Sequence, residues 1–183
     1  MEQKSSPLLK SSLTYGLYAA LISIFLNVVI WAGGIMESLG LFGSLIVALL
    51  SFVISFVILF IFAKNYRNKE FEGYISFTEA FKFVMMVTIV STVILVIYTY
   101  IFHSFIAPDY MENLMASMQQ KTLEFLESRG APDASIDQAM EQFKEIPTIA
   151  KTLRQAALSG IIGGGIISLI VAAIVKKKVE DSY

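Results

Sequence analysis

The stretch LGLFGSLIVALLSFVISFVILFIFA, residues 39–63, contains no charged side chain. Coiled as a helix that rises about 1.5 Å per residue, it is longer than the roughly 30 Å hydrocarbon core of a bilayer requires, since about 20 apolar residues suffice to cross it. Three further stretches have the same character, at residues 13–33, 83–106 and 156–175. The four together hold no Asp, Glu, Lys or Arg and a single histidine, His103. The expected fold class is therefore an all-α membrane protein with four transmembrane helices, formed by one polytopic domain over residues 1–183.

Composition agrees and excludes much else. The hydrophobic fraction is 56% and the mean hydropathy +0.68, and the excess lies in blocks, as lipid-facing segments require. A formal net charge of −1 does not suit nucleic acid, whose binding depends on many Lys and Arg neutralising phosphates. The absence of cysteine removes disulfides, thiolate metal sites and cysteine nucleophiles. Lys4 and Lys10 precede the first apolar stretch in the manner of a secretory signal. That stretch exceeds the usual length of a signal core, about 7–15 residues, and no small-x-small site follows Ile30-Trp31-Ala32-Gly33-Gly34, so it reads as a retained span.

Residues 1–12 form a polar leader containing Pro7. Gly33-Gly34 and Gly40 bracket what the sequence predicts to be a tight turn between spans one and two. Ser76 and Glu79 have capping-box spacing, each side chain able to satisfy the other's orphan backbone N–H, so the third helix should begin ahead of its apolar part. Lys and Arg are biased toward cytoplasmic loops. One face collects Lys4, Lys10, Lys64, Arg67, Lys69, Lys82, Lys176, Lys177 and Lys178; the other collects Lys121, Arg129, Lys144, Lys151 and Arg154. That asymmetry predicts that both termini are cytoplasmic and that residues 107–155 lie outside, with Trp31 at the outer headgroup level.

The outer segment repeats apolar residues at helical spacing: Met111, Leu114, Met115, Met118, Phe125 and Leu126, then Ile136, Met140 and Phe143 after the break at Arg129-Gly130-Ala131-Pro132. An acidic, amphipathic helical hairpin between helices three and four is expected. Its methionines would serve as the hairpin's own buried face or as an adaptable surface for a partner. Pro147 would suit the first turn of a helix running into span four.

Candidate sites are few. His103 lies near the outer end of span three, close to Asp109 and Tyr110, where an imidazole is an interface anchor or packing residue; a pH-sensitive role is the alternative. Ala156, Gly160, Gly164, Ser168 and Ala172 recur every four residues along span four, with Gly163 and Gly165 beside them. Small residues on one face let helix backbones approach closely, which serves packing within the bundle or contact between copies. The hydroxyls Ser44, Ser51, Ser55, Thr88, Ser91, Thr92 and Thr99 either bond nearby backbone carbonyls or line a hydrophilic pathway. Lys176-Lys177-Lys178 sets topology or attracts anionic lipid. No catalytic constellation, metal site or cofactor site is discernible, so no enzyme activity is expected.

Tyr15-Gly16, Ile75-Ser76-Phe77 followed by Glu79-Ala80-Phe81-Lys82, Tyr98-Thr99-Tyr100 and Ile106-Ala107-Pro108-Asp109-Tyr110 together resemble the pattern of the bacterial membrane proteins called domain of unknown function 4199, over nearly the whole chain. The resemblance implies a four-helix protein of the bacterial inner membrane, found chiefly in Bacteroidetes. It implies no activity and carries over no catalytic or binding residues. The expected role is a small accessory or assembly subunit, or alternatively a small oligomeric transporter or channel component. Its partners would be the lipid bilayer and another membrane protein or a second copy of itself.

Overall fold

Gly33 and Gly34 end the first helix, and Gly34 does so in the left-handed conformation, φ 57°, that glycine adopts at no steric cost. In the computed structural model, which describes residues 7–177, this turn joins α1 (Pro7–Ala32) to α2 (Ile35–Glu70). There follow α3 (Phe77–Ile101), which runs on as a π-helical turn (Phe102–Ile106), then α4 (Tyr110–Ser128), α5 (Asp133–Glu141) and α6 (Ile149–Val175). The polar leader up to Ser6, and Lys4 and Lys178 of the charge asymmetry, lie outside the described residues.

Four helices are long and apolar enough to cross a membrane: Pro7–Ala32, Gly43–Glu70, Phe77–Ile106 and Ile149–Val175. Three boundaries differ from the sequence reading. Gly40 does not belong to the turn between spans one and two; it sits inside α2 at φ 60°, ψ −151°, where it kinks the helix between a short segment from Ile35 and the long span. The second helix also continues past Ala63 to Glu70, because its last turns are polar but still helix-forming. Pro147 precedes α6 instead of entering its first turn, because Thr148 takes the N-cap and its hydroxyl accepts from Lys151 N–H at 3.3 Å. The capping box at Ser76 and Glu79 is formed in both directions.

α3 is the centre of the bundle, packed along α6 on one side and α1 on the other. α2 leans on α1 and α6 more lightly, and only 6% of its span is buried. The α1–α3 approach depends on Gly16, where a Cβ would lie 2.6 Å from Val90 Cβ. The tight core lies toward the end of the bundle that carries the start of α1 and the end of α6, called here the terminal end. Phe83, Val84, Val87, Val171 and Val175 are fully buried there. Tyr66 stacks on Phe83 with centroids 3.8 Å apart, and Tyr15 meets Phe83 edge-on at 5.7 Å; such aromatic pairs add about 0.5–1.5 kcal/mol each to the burial itself.

Backbone also closes this end. Ile75 N–H donates to Lys177 O at 3.1 Å and Lys177 N–H returns to Ile75 O at 3.0 Å. Arg67 Nη1 donates to Val175 O at 3.1 Å, placing a cation on the last carbonyls of α6, where the helix dipole favours it.

At the opposite, cap end, α4 lies along the start of α2, and Ser117 Oγ donates to Glu37 O at 2.9 Å. The chain turns at Gly130, φ 65°, into α5. Of the apolar stripe expected on this segment, Met115, Met118, Met140 and Phe143 are half-buried. Phe125 is not turned inward: it is exposed, with the Arg129 guanidinium 5.2 Å from its ring centre. α4 packs on the short first segment of α2 and meets α5 after the turn.

Candidate functional site: a hydroxyl-lined cavity between the helices

Large apolar residues fill the terminal half of the bundle, and small or hydroxylic ones replace them toward the cap. α1 contributes Ser23 and Asn27, α2 Ala48, Ser51 and Ser55, α3 Thr88, Ser91, Thr92 and Thr99, and α6 Ser159, Gly160, Gly163 and Gly164. These side chains are too short to meet across the bundle axis, and they leave a partly open cavity of about 580 Å³. A second cavity of about 280 Å³ shares Ser23, Asn27, Ser51 and Ser55 with the first and reaches Met36 and Tyr110 at the cap. The pair forms a space from the level of Leu59 and Ile167 to the cap, its walls mainly apolar with hydroxyls set into them.

Four of the hydroxyls give their proton to a carbonyl of their own helix: Ser23 to Ala19 O at 2.9 Å, Ser91 to Thr88 O at 2.9 Å, Thr99 to Leu95 O at 2.8 Å and Ser159 to Gln155 O at 2.6 Å. Their oxygens keep lone pairs to offer as acceptors. One bond crosses the cavity wall, from Tyr98 Oη to Asn27 Oδ1 at 2.9 Å, tying α3 to α1. Thr88 is 5% exposed, and its Oγ1 has no hydrogen-bond partner among the described residues. That oxygen lies 3.1 Å from where a Cβ on Gly164 would stand, sealed in the contact between α3 and α6, and a buried hydroxyl left in that condition costs about 1–3 kcal/mol.

No Asp, Glu, Lys, Arg or His lines either cavity. The titratable groups that do line them are phenols, Tyr98 in the first and Tyr110 in the second; the Tyr110 phenol is pushed up to about 12 by burial and then by the Glu37 carboxylate, so it stays neutral at physiological pH. Glu37 Oε2 is itself buried without a partner among the described residues. No cluster of His, Asp and Glu suited to a metal ion occurs among the described residues.

The small-residue face of α6 meets α3 of the same chain. A Cβ at Gly160 would lie 2.7 Å from Thr92 Oγ1, and one at Gly164 would overlap the Thr88 methyl group. Ser168 and Ala172 are fully buried on the same line, and Ser168 Oγ donates to Gly164 O at 2.6 Å. Ala156 lies at the cavity wall. His103 falls in the π-helical turn at the cap end, edge-on to Phe102 at 5.2 Å and 6.0 Å from Tyr110. It faces a small recess of about 180 Å³ with Pro108, Met111 and Glu112, apart from the hydroxyl-lined space.

Of the span hydroxyls singled out from sequence, Ser51, Ser55, Thr88, Ser91, Thr92 and Thr99 converge on one cavity, whereas Ser44 does not line it. Sequence reading missed Ser23, Asn27, Tyr98 and Ser159. Asn27 carried the available signal, as the sole carboxamide within the four apolar stretches.

The family described as "Protein of unknown function (DUF4199)" matches residues 14–177, and the chain belongs to it. No curated protein and no solved structure matches the chain.

Proposed function

For a member of this family built in this way, we propose work as a small transport or channel component of the bacterial inner membrane, admitting an uncharged or amphipathic molecule into the bundle from the cap end. The hydroxyl-lined cavity carries this reading. Its volume falls in the range of roughly 300–1,000 Å³ that holds small-molecule ligands. Its four walls supply hydroxyl acceptors set among apolar side chains, but no charge, and burying an ionised group without a countercharge costs several kcal/mol. The stacked Tyr66 and Phe83 close it toward the terminal end, so loading from the cap and release toward the termini would need movement of that seal. The excess of Lys and Arg at the terminal end supports a cytoplasmic location for it.

The chain has no cysteine, which makes the test direct. Single cysteines at Ser55 and Ser91 should react with a small impermeant methanethiosulfonate added from the cap side, well ahead of a cysteine at the 67%-exposed Leu49 on the outer surface of α2. Equal rates at the three positions would remove the aqueous cavity and the transport reading with it.

A second reading, an accessory or assembly subunit, is favoured by α2, whose span is left almost bare by its own bundle. A photo-crosslinking residue at Leu49 should then couple to a neighbouring protein or a second copy in native membranes. Coupling to lipid alone would dismiss it.

A further inference from the structure

Ser159 and Gly163 face two spaces at once. One is the hydroxyl-lined cavity; the other is a shallow, open groove on the outer surface of α6, formed by Lys151, Arg154, Gln155, Leu158 and Ile162 of that one helix. Between the two, α6 has no side chain at Gly163, where an added Cβ would meet nothing within 4 Å. The groove is graded along the helix. Leu158 and Ile162 are exposed apolar residues, 48% and 61%, at the depth of the apolar span. Arg154 lies one turn and Lys151 two turns closer to the cap, both exposed and neither in an ion pair with an acidic side chain among the described residues. Two unpaired cations above an apolar trough match an anionic headgroup above an acyl chain.

The lengths agree as well. From Arg154 to Gly164, which faces Thr88, ten residues rise about 15 Å, half of the roughly 30 Å hydrocarbon core. A chain whose headgroup rests at Arg154 therefore ends at the depth of the cavity's inner part, level with Gly164 and Thr88.

We infer that groove and cavity together bind an anionic membrane phospholipid, its phosphate held by Lys151 and Arg154 and one acyl chain passing over the Gly163 notch into the space between the helices. This names the molecule class for the proposed transport function and rests on that reading for the chain's destination. The headgroup seat rests on the groove and its charges alone.

Native mass spectrometry of the full chain in a neutral detergent, with phosphatidylglycerol and phosphatidylcholine of identical chains in competition, tests it. Each cation near the surface favours an anionic lipid by a factor of about five, so the pair should give a preference on the order of 20-fold at low salt. Lys151→Gln/Arg154→Gln should bring it close to one with the thermal midpoint unchanged, since both side chains are exposed. Gly163→Leu, placed where there is room, should lower the retained amount of either lipid. Equal retention of the two lipids by the parent overturns the inference. So does a preference that survives Lys151→Gln/Arg154→Gln and vanishes in Lys176→Gln/Lys177→Gln, which would seat the lipid at the opposite end. Unchanged retention by Gly163→Leu overturns the chain's path. Slow labelling at Ser55 and Ser91 with the lipid preference intact would instead defeat the transport reading alone.

Discussion

Gly163 and Gly164 are neighbours on α6, and alanine at each should move stability in opposite directions. A methyl group at Gly164 would overlap Thr88 Cγ2 and lie 3.0 Å from Thr88 Cβ, whereas one at Gly163 finds open space. Thr88 is buried between α3 and α6, so it cannot swing into solvent to make room. The helices must separate along the most extensive contact in the bundle. Overpacking of this kind costs about 1–3 kcal/mol, while replacing a mid-helix glycine by alanine without a clash gains about 0.5–1 kcal/mol. The two variants should therefore differ by about 1.5–4 kcal/mol. At roughly 2–4 °C per kcal/mol for a chain of this size, the thermal midpoints in mild detergent should differ by about 3–16 °C, Gly164→Ala below the parent and Gly163→Ala at or above it. Thr88→Ala removes the methyl and the hydroxyl that the new side chain meets, so the double variant Gly164→Ala/Thr88→Ala should be less destabilised than the sum of its parts by about 1–2 kcal/mol. Equal midpoints for the two alanine variants, or strict additivity with Thr88→Ala, would refute packing of α6 on α3 through this face.

Two further outcomes follow from the ends of the bundle. Arg67→Met should lower the thermal midpoint, because a charge-assisted bond to the α6 terminus is worth about 1.5–3 kcal/mol, discounted here because the guanidinium is only half-buried; an unchanged midpoint would show that Val175 O is satisfied without it. Below pH 10 the Tyr110 phenol is neutral both folded and unfolded and contributes no pH dependence; between pH 10 and about 12 it ionises only when unfolded, so stability should fall there, and Tyr110→Phe should flatten that part of the denaturant-midpoint profile.

The spans were legible because lipid imposes a crude rule, that some 20 successive residues be apolar, and residues 39–63 obey it without reference to any neighbour. The capping box at Ser76 was legible for a similar reason, since both partners lie within one turn. Gly40 was misread because a glycine followed by apolar residues looks the same whether it ends a turn or kinks a helix; the outcome depends on α4, whose Lys121 lies 2.8 Å from where a Cβ on Gly40 would stand. The cavity was visible only as scattered hydroxyls. Whether Ser55 and Ser91 face lipid, carbonyl or each other is decided by the rotation of α2 and α3 about their axes, and a hydroxyl changes the apolar periodicity too little to reveal it. Phe125 fits the helical stripe in sequence, yet it stays 38% exposed with Arg129 over its ring, which spacing alone does not reveal.

The clasp between Ile75 and Lys177 also orders events at the ribosome. Domains form as the chain emerges from its N-terminal side. α1, α2 and α3 can enter the bilayer and join along the Gly16–Val90 approach while α6 is still unmade. During that interval the α3 face bearing Thr88 and Thr92 is turned to lipid, with Thr88 Oγ1 lacking the cover that α6 later provides. α6 then arrives last, and its final residues knot onto a loop synthesised about a hundred positions earlier, a separation the Arg67–Val175 bond records as 108 residues. A nascent chain halted before residue 149 would hold three of its four spans and no latch, which makes it a natural substrate for the membrane's quality-control proteases.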